Sequence, residues 1–234
     1  MLIPFSAERR GYSNLDWLQS YHTFSFAEFY DPERMGVSVL RVINDDTVAG
    51  GGGFGTHPHR DMEIITYMVN GVIEHRDSMG NTEQITAGEV QRMTAGSGVT
   101  HSEYNASGEK PLRLLQIWIK PAQNNLPPSY EQKLIAPQVG LTWIARGDSN
   151  TDGVHIHQDA HIARISGAGE HVLPLGKDRI GFIQVVHGSA QMNGATQQVG
   201  DAVAMVDEEN PVLTLADNAE VLFFDLPPVQ RKAA

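Results

Sequence analysis

Cysteine is absent from the 234-residue sequence, and this absence excludes several kinds of site at once. Disulfide bonds, thiolate metal ligands and cysteine nucleophiles cannot occur. A site for a transition metal must therefore use imidazole and carboxylate donors. The ten histidines are the most conspicuous supply of metal ligands and of proton carriers near neutral pH.

Clustered positive charge and long apolar runs are also missing. The formal net charge is −11, from 17 Lys and Arg against 28 Asp and Glu. Because affinity for nucleic acid depends on clustered cations, we expect no direct nucleic-acid partner. No apolar run approaches the length of a membrane span, and the start "MLIPFSAERRGY" has no apolar segment of the signal-peptide type. These absences predict a soluble cytoplasmic protein without a membrane partner.

Helix signals are few, and residues 14–21 are the best candidate for a short helix. The chain consists mainly of β-branched or alternating runs separated by Gly, Asn and Asp turns. In the first half these runs cover residues 36–43, 63–69, 72–76, 89–94 and 112–120, and the second half continues the pattern. Strands at this spacing predict an all-β sandwich or barrel fold. The Pro-, Asn- and Gln-rich residues 120–133 are interpreted as a segment that crosses between the two halves.

A weak internal repeat relates the two halves. "YMVNGVIEH" followed by "ITAGEVQRMT" resembles "QVVHGSAQM" followed by "QQVGDAVAMV", which indicates two copies of one β-unit. The copies can be aligned on their glycine turns, Gly71 on Gly188 and Gly88 on Gly200. The counterparts of His57, His59, His101 and Glu103 are then Pro174, Gly176, Leu213 and Leu215. Potential metal ligands at these positions are therefore confined to the first copy.

Two short motifs, "HPH" and "HSE", supply those potential ligands. They contain His57 and His59 in the first motif and His101 and Glu103 in the second. Residues i and i+2 of a strand point to the same face, so each pair can face inward together. If the two pairs face each other inside a barrel, they place three imidazoles and one carboxylate around a point. Such a donor set suits a divalent first-row transition metal, and an octahedral ion would keep two positions for substrate or O₂.

The residues around these motifs resemble the pirin family, whose members are bicupins. The stretches "THPHRDMEIITYMVNG" and "AGEVQRMTAGSGVTHSEYN" resemble the family's metal-binding motifs, and "WLQSYHTFSFAEFYDPERMGVSVLRVINDD" resembles its N-terminal signature. The resemblance is strong over about residues 10–130, and the second half shares the β-pattern and "HQDA". It implies an all-β bicupin fold, with two jelly-roll-like barrels packed in one chain. Residues 1–130 would form the metal-carrying barrel, and residues 131–234 a cupin-like barrel without metal ligands.

The resemblance also implies a ligand set and an activity. One divalent transition metal per chain would be held by His57, His59, His101 and Glu103, with iron expected first and Mn, Co, Ni, Cu or Zn as alternatives. Several bacterial pirins have quercetin 2,3-dioxygenase activity, so the expected reaction opens the ring of a small flavonol-like aromatic substrate with O₂. Glu103 is the expected catalytic residue, because a carboxylate that detaches from the metal can accept the proton of the flavonol 3-hydroxyl.

Two other functions are left open by the residues and by the resemblance. Animal pirins regulate transcription through partner proteins, so this chain could be a metal-binding, redox-sensing module with a protein partner and no turnover. Another cupin chemistry, such as isomerisation or acid-dependent hydrolysis, is the third alternative. Composition and motif spacing fit all three.

The remaining candidate residues have less specific interpretations. Glu63 occupies the position at which many cupins have a ligating acid, whereas the pirin pattern takes its carboxylate from the second motif, so Glu63 is a reserve ligand. His22 and His75 are interpreted equally well as residues of the pocket or its surroundings and as structural residues. Structural roles are expected for the histidines of the second copy, which are His155, His157, His161, His171 and His187.

Overall fold

The computed structural model of the chain describes residues 1–136, 138–149 and 152–228. The strands up to the middle of the chain are β1 (Leu2–Phe5), β2 (Gly11–Leu15), β3 (Leu18–His22), β4 (Leu40–Val48), β5 (Gly53–His59), β6 (Glu63–Asn70), β7 (Val72–Asp77), β8 (Thr82–Thr86), β9 (Glu89–Thr94), β10 (Val99–Asn105) and β11 (Leu112–Ile119). The strands that follow are β12 (Ser129–Leu134), β13 (Gly140–Arg146), β14 (Val154–His155), β15 (His161–Ser166), β16 (Gly169–Val172), β17 (Ile180–His187), β18 (Ser189–Met192), β19 (Ala195–Gln198), β20 (Ala202–Val206), β21 (Val212–Leu215) and β22 (Glu220–Leu226). Within the described ranges the one helical element is a 3₁₀ turn at Ala7–Arg9, and none of these elements is a helix that could span a membrane.

The strands form two pairs of sheets, and each pair consists of a seven-stranded and a four-stranded sheet. The N-terminal barrel pairs the sheet β12-β9-β6-β11-β4-β3-β2 with the sheet β5-β10-β7-β8. The C-terminal barrel pairs β1-β20-β17-β22-β15-β13-β14 with β16-β21-β18-β19. Apolar side chains fill the space between the paired sheets, as Val48 and Leu114 do against Ile73 and Ile85. The all-β bicupin prediction is confirmed, and within each barrel the two sheets are jelly-roll-like but separately hydrogen-bonded.

The two barrels exchange strands and share a core. β1 pairs with β20 of the C-terminal barrel, and β12 pairs with β9 of the N-terminal barrel. The predicted division into residues 1–130 and 131–234 falls inside β12, and the strand pairing crosses it at both β1 and β12. Between the barrels, one apolar cluster joins Ile65 and Tyr67 to Phe182 and Phe224. The barrels are therefore packed on each other through a continuous apolar interface.

The prediction of a short helix over residues 14–21 is wrong. These residues belong to the hairpin of β2 and β3, in which Leu15 pairs with Leu18. Along β3, Leu18, Ser20 and His22 are buried while the residues between them are exposed. A burial period of two is the pattern of a strand with one covered face.

A row of polar side chains crosses the inner face of the large N-terminal sheet. The strand register places residues of five neighbouring strands side by side. They are His22, Asn44, Gln116, Thr66 and Gln91, and all are buried. Because buried polar groups need hydrogen-bond partners, this row predicts polar side chains on the facing small sheet.

Candidate metal centre

Two neighbouring strands of the small sheet position the four predicted ligands. His57 and His59 lie on β5, and His101 and Glu103 lie on β10, with His57 directly opposite His101 in the antiparallel pair. The register shifts between His101 and Glu103, so that Glu103 stands opposite Phe54. The extra residue lies on β5, between Phe54 and His57, and bends that strand, whereas β10 pairs regularly with β7 through His101 and Glu103.

Three imidazoles converge at one point. The ring centroids of His57, His59 and His101 are 4.5 to 4.8 Å apart. Nε2 of His57 lies 3.1 Å from Nε2 of His101. Two nitrogens bound to one ion at about 2.1 Å lie about 3.0 Å apart if their bonds form a right angle. The spacing of these nitrogens therefore fits a shared transition-metal ion.

The protonation of the imidazoles also suits metal binding. Nδ1 of His57 lies 2.7 Å from the carbonyl oxygen of Gly55, so Nδ1 carries the proton and Nε2 keeps a free lone pair. Burial, together with the neighbouring charges of His101 and His57, lowers the pKa of His59 to about 4. Burial and the charges of His57 and His75 lower the pKa of His101 to about 3. His59 and His101 are therefore neutral at pH 7, as ligands must be.

Glu103 lies beside His101 and is fixed by the polar row. Its carboxylate accepts a hydrogen bond of 3.1 Å from Nε2 of Gln116, and the Thr66 hydroxyl is 3.5 Å away. Potential ligand atoms lie within 4.8 Å of one another in two overlapping groups that share His101. One group contains the three imidazoles of His57, His59 and His101, and the other contains His75, His101 and Glu103. The structure thus brings the other three predicted residues around His101, and the assignment of the four as a complete ligand set stays a prediction.

The imidazoles and Glu103 border a cavity of about 470 Å³. Aromatic side chains form much of its wall, namely Trp17, Phe26, Phe54 and Trp118. The Trp118 ring lies edge-on to His59 with centroids 5.0 Å apart. Polar side chains of the large sheet, Ser20, His22, Asn44 and Asp46, line another part. The cavity therefore combines flat apolar walls with a small number of polar groups, as small-molecule sites commonly do.

His22 and Asp46 are the polar cavity residues with the most unusual surroundings. His22 lies 2.8 Å from the Ser13 hydroxyl and 2.8 Å from the side-chain oxygen of Asn44, and burial lowers its pKa. Asp46 is buried, and one of its carboxylate oxygens has no hydrogen-bond partner among the described residues. Burial raises the pKa of Asp46 to about 7. His22 was an open candidate in the sequence, whereas Asp46 was missed. The available signal was its alternation along β4 with the buried Val48.

Glu63, the reserve ligand, lies on the opposite face of β6 from Thr66. Its carboxylate accepts a hydrogen bond of 3.1 Å from the Thr94 hydroxyl and lies 3.4 Å from Nδ1 of His157. It belongs to neither group of potential ligands among the described residues. The pleat of the strand explains this position, because residues an odd number apart point to opposite faces. His157, part of the "HIH" sequence, contributes to the contact between the barrels.

The C-terminal barrel has leucines at the positions that correspond to His101 and Glu103. Leu213 and Leu215 lie on β21 and are buried in an apolar cluster. In the pairing of β16 with β21, however, His171 stands opposite Leu213 as His57 stands opposite His101. The alignment of His57 with Pro174 is therefore wrong. The segment between β16 and β17 is longer than that between β5 and β6, so counting back from the glycine turn ends in the loop.

Comparison with known protein families and proteins covers both barrels. The family model described as Pirin matches residues 5–119, and the model described as Quercetinase C-terminal cupin domain matches residues 143–226. A protein named Quercetin 2,3-dioxygenase from Escherichia coli O157:H7 is 46% identical over 231 residues, which cover 98% of this chain and 100% of that protein. A Pirin-like protein from Caulobacter vibrioides is 38% identical over 228 residues, covering 95% of this chain and 97% of that protein.

Solved structures show the same fold over the whole chain. The crystal structure of YhhW from Escherichia coli matches with a TM-score of 0.95 at 45% identity, covering 99% of this chain and 100% of that chain. A second structure, of bacterial pirin YhhW in complex with nickel(II), matches with a TM-score of 0.94 at 45% identity, covering 98% of this chain and 100% of that chain. The similarity therefore includes the sheets that carry the imidazoles.

Proposed function

This chain belongs to the pirin family, and we propose that it is a metal-dependent dioxygenase that opens the ring of a flavonol with O₂. The observation that carries the proposal is the convergence of His57, His59 and His101 beside Glu103 at the wall of an aromatic-lined cavity. The name of the Escherichia coli relative, Quercetin 2,3-dioxygenase, supports the choice of reaction and substrate.

The proposed metal ligands are His57, His59, His101 and Glu103. When bound, a divalent transition metal would act as a Lewis acid toward an anionic substrate oxygen. The nickel complex of the bacterial pirin supports a site for such an ion in this family, and nickel is a practical probe. Iron is our proposed native metal, in keeping with the family resemblance.

The aromatic lining of the cavity supports the choice of a flat aromatic substrate. Phe26 and Trp118 meet edge-on with ring centroids 5.5 Å apart, and Trp17 and Phe54 do so at 5.0 Å. Faces and edges of this kind pack favourably against another aromatic ring. Packed against a bound substrate, they would displace water from it, which would strengthen the electrostatic interactions inside the cavity.

Glu103 is the proposed acceptor for the proton of the flavonol 3-hydroxyl. Its carboxylate is held by Gln116 and approached by the Thr66 hydroxyl, and both groups belong to the polar row. This support fixes the direction of the carboxylate before the substrate arrives. A proton acceptor in a fixed position contributes about 10²- to 10⁴-fold to the rate of a reaction of this kind.

Replacement of Glu103 by glutamine tests this role. The amide retains one oxygen donor but cannot take up a proton near neutral pH. At matched metal occupancy, we expect flavonol consumption to fall by about 10²-fold or more. A fully loaded Glu103→Gln variant that works at the parent rate would exclude Glu103 as the proton acceptor.

Glu63→Gln is the matched control. It makes the same chemical change in a buried carboxylate, on the face of β6 that points away from Thr66. We expect it to leave metal binding and turnover close to the parent. If Glu63→Gln abolishes metal binding while Glu103→Gln leaves it intact, the ligand assignment must change to Glu63.

A further inference from the structure

A fully buried imidazole lies directly behind His101. His75 is on β7, the neighbour of β10, and the antiparallel register places it opposite Glu103. The same register places Asp77 opposite His101. His75 and Asp77 are two residues apart on one strand, so their side chains lie on the same face. The side chains of His75 and Asp77 are both shielded completely from solvent.

Hydrogen-bonding contacts connect His101, His75 and Asp77 in a chain. Nδ1 of His101 lies 3.4 Å from Nδ1 of His75, and Nε2 of His75 lies 3.0 Å from a carboxylate oxygen of Asp77. Asp77 in turn accepts hydrogen bonds from the backbone N–H groups of Met79 and Asn81, at 2.9 and 3.1 Å, and from the Asn81 amide at 2.8 Å. The carboxylate is therefore fixed in direction as well as in position.

The partners of His75 determine where its proton lies. The Asp77 carboxylate is an acceptor, so Nε2 of His75 carries the hydrogen. Nδ1 of His75 then has a lone pair, which accepts a hydrogen bond of 3.1 Å from the Gln91 amide. The ring of Tyr130 packs against His75 with centroids 5.1 Å apart and covers it.

The position of the proton on His101 follows from its neighbours as well. If a metal ion is shared between Nε2 of His57 and Nε2 of His101, which lie 3.1 Å apart, the proton of a neutral His101 must lie on Nδ1. That N–H then faces Nδ1 of His75 at 3.4 Å and approaches its lone pair beside the Gln91 amide. One buried carboxylate thus supports, through one intermediate imidazole, the tautomer of His101 whose Nε2 is free.

We propose that His75 is a positioning residue of the metal site, which together with Asp77 holds His101 in the tautomer whose Nε2 binds the metal. The inference rests on the metal-binding part of the proposed function and is independent of the substrate. The competing role for His75 is that of a direct ligand in the group with His101 and Glu103. That role would use Nδ1 of His75 and would break its contacts with both Gln91 and His101, which the positioning role keeps.

Two substitutions at His75 separate these roles. His75→Gln keeps an acceptor for His101 and a donor for Asp77, whereas His75→Leu has neither. Ile73→Val is the matched control, since it removes a methyl group from a buried position of the same strand without touching an imidazole. Nickel(II) is titrated into each metal-free full-length protein by calorimetry. We expect His75→Leu to raise the Kd for nickel about 10- to 100-fold, with His75→Gln much closer to the parent and Ile73→Val unchanged.

Parent-like nickel affinity in a folded His75→Leu variant would overturn the proposal. Equal losses in His75→Gln and His75→Leu would also overturn it, because they would show that the imidazole itself binds the metal. If His75→Leu does not fold, nitrogen NMR of the histidine-labelled parent loaded with diamagnetic zinc decides. The proposal predicts a proton on Nδ1 of His101, with the metal on its Nε2, and a proton on Nε2 of His75, and metal bound through Nδ1 of His101 or of His75 contradicts it. None of these readouts involves flavonol or O₂, so a failure of the dioxygenase proposal is recognised separately.

Discussion

Individual side chains determine the chemistry of the cavity, and the sequence revealed those that share a local motif. His57 and His59, like His101 and Glu103, are two residues apart, and strand geometry alone makes each pair point the same way. Asp46 has no such local partner. Its burial depends on β3 and β11, which flank β4 in the sheet. Residues whose role comes from long-range pairing were therefore the ones that sequence reasoning missed or left open.

Loss of a single imidazole from the convergent group should abolish tight metal binding. We expect His57→Ala, His59→Ala and His101→Ala each to reduce metal occupancy severely, because each removes one donor of a small set. Elemental analysis after dialysis measures the occupancy. His155→Ala is the control, since His155 is exposed and lies on β14 of the C-terminal barrel. Equal losses of metal in the control would contradict the assignment of the metal to the N-terminal barrel.

Asp46 should make the stability of the metal-free protein depend on pH. Burial raises its pKa from 3.8 to about 7, so the folded chain retains a proton that the unfolded chain releases. The protein therefore loses stability as the pH rises from about 4 to about 7, by at most about 4 kcal/mol from this residue. Asp46→Asn cannot ionise and should escape the loss.

Urea unfolding of the parent and of Asp46→Asn at several pH values between 4 and 8 checks this prediction. The free energy of unfolding of the variant, relative to that of the parent, should increase as the pH rises. This difference should level off above about pH 7. A difference that is constant with pH would show that Asp46 ionises normally in the folded protein.

Strands were the elements that the sequence predicted best, because alternation and glycine turns mark them directly. The errors concerned the periodicity of an element, the face of a strand on which a residue lies, and the length of a loop. The hairpin of β2 and β3 resembled a helix because Leu15, Leu18 and Tyr21 recur at the helical spacing of three residues. Glu63 resembled a ligand because its position along the chain was right while its face was wrong. The counterpart of His57 was misplaced because the loop before β17 is longer than the loop before β6.

The close pairing of β5 with β10 should make Gly53 intolerant of any side chain. A Cβ atom on Gly53 would lie 2.5 Å from the carbonyl oxygen of Glu103 and 2.6 Å from Cα of Tyr104. Gly53→Ala must therefore push the strands apart beside Glu103, and we expect a loss of about 1 to 3 kcal/mol in the free energy of unfolding.

Gly55→Ala is the control, because its Cβ would have only the Tyr104 hydroxyl nearby, at 3.8 Å. Gly55 lies on the same strand as Gly53, and the substitution is the same. Denaturant unfolding of both variants measures the difference. Equal stabilities would mean that β5 and β10 are farther apart at Glu103 than the structure shows.

The two barrels have similar topologies but different interiors, and we expect this difference to confine metal binding to the N-terminal barrel. The large sheets correspond except at one edge, where β2 pairs antiparallel with β3 but β14 pairs parallel with β13, and each barrel gains one strand from the other. Family resemblance and the repeat predicted the two barrels from the sequence. The exchange of β1 and β12 was not predictable, because nothing local to a short edge strand specifies which sheet it joins.

Purified protein should bind about one metal ion per chain at the imidazole site. Leu213 and Leu215 fill the corresponding part of the C-terminal barrel with apolar side chains, which offer no donor atoms. Nickel titration followed by elemental analysis gives the stoichiometry. Two tightly bound ions per chain, or one ion that persists in His101→Ala, would contradict the assignment to the N-terminal barrel.

Simultaneous measurement of flavonol and O₂ in a closed cell tests the central claim most directly. Metal-loaded parent protein is mixed with quercetin, and the flavonol absorbance is followed together with the O₂ concentration. His101→Ala with the same added metal controls for oxidation by free ions. Our account predicts that the parent consumes flavonol and O₂ in equal amounts, while the metal-free parent and the anaerobic sample consume none. A parent that carries one metal per chain and leaves both flavonol and O₂ unchanged would contradict it.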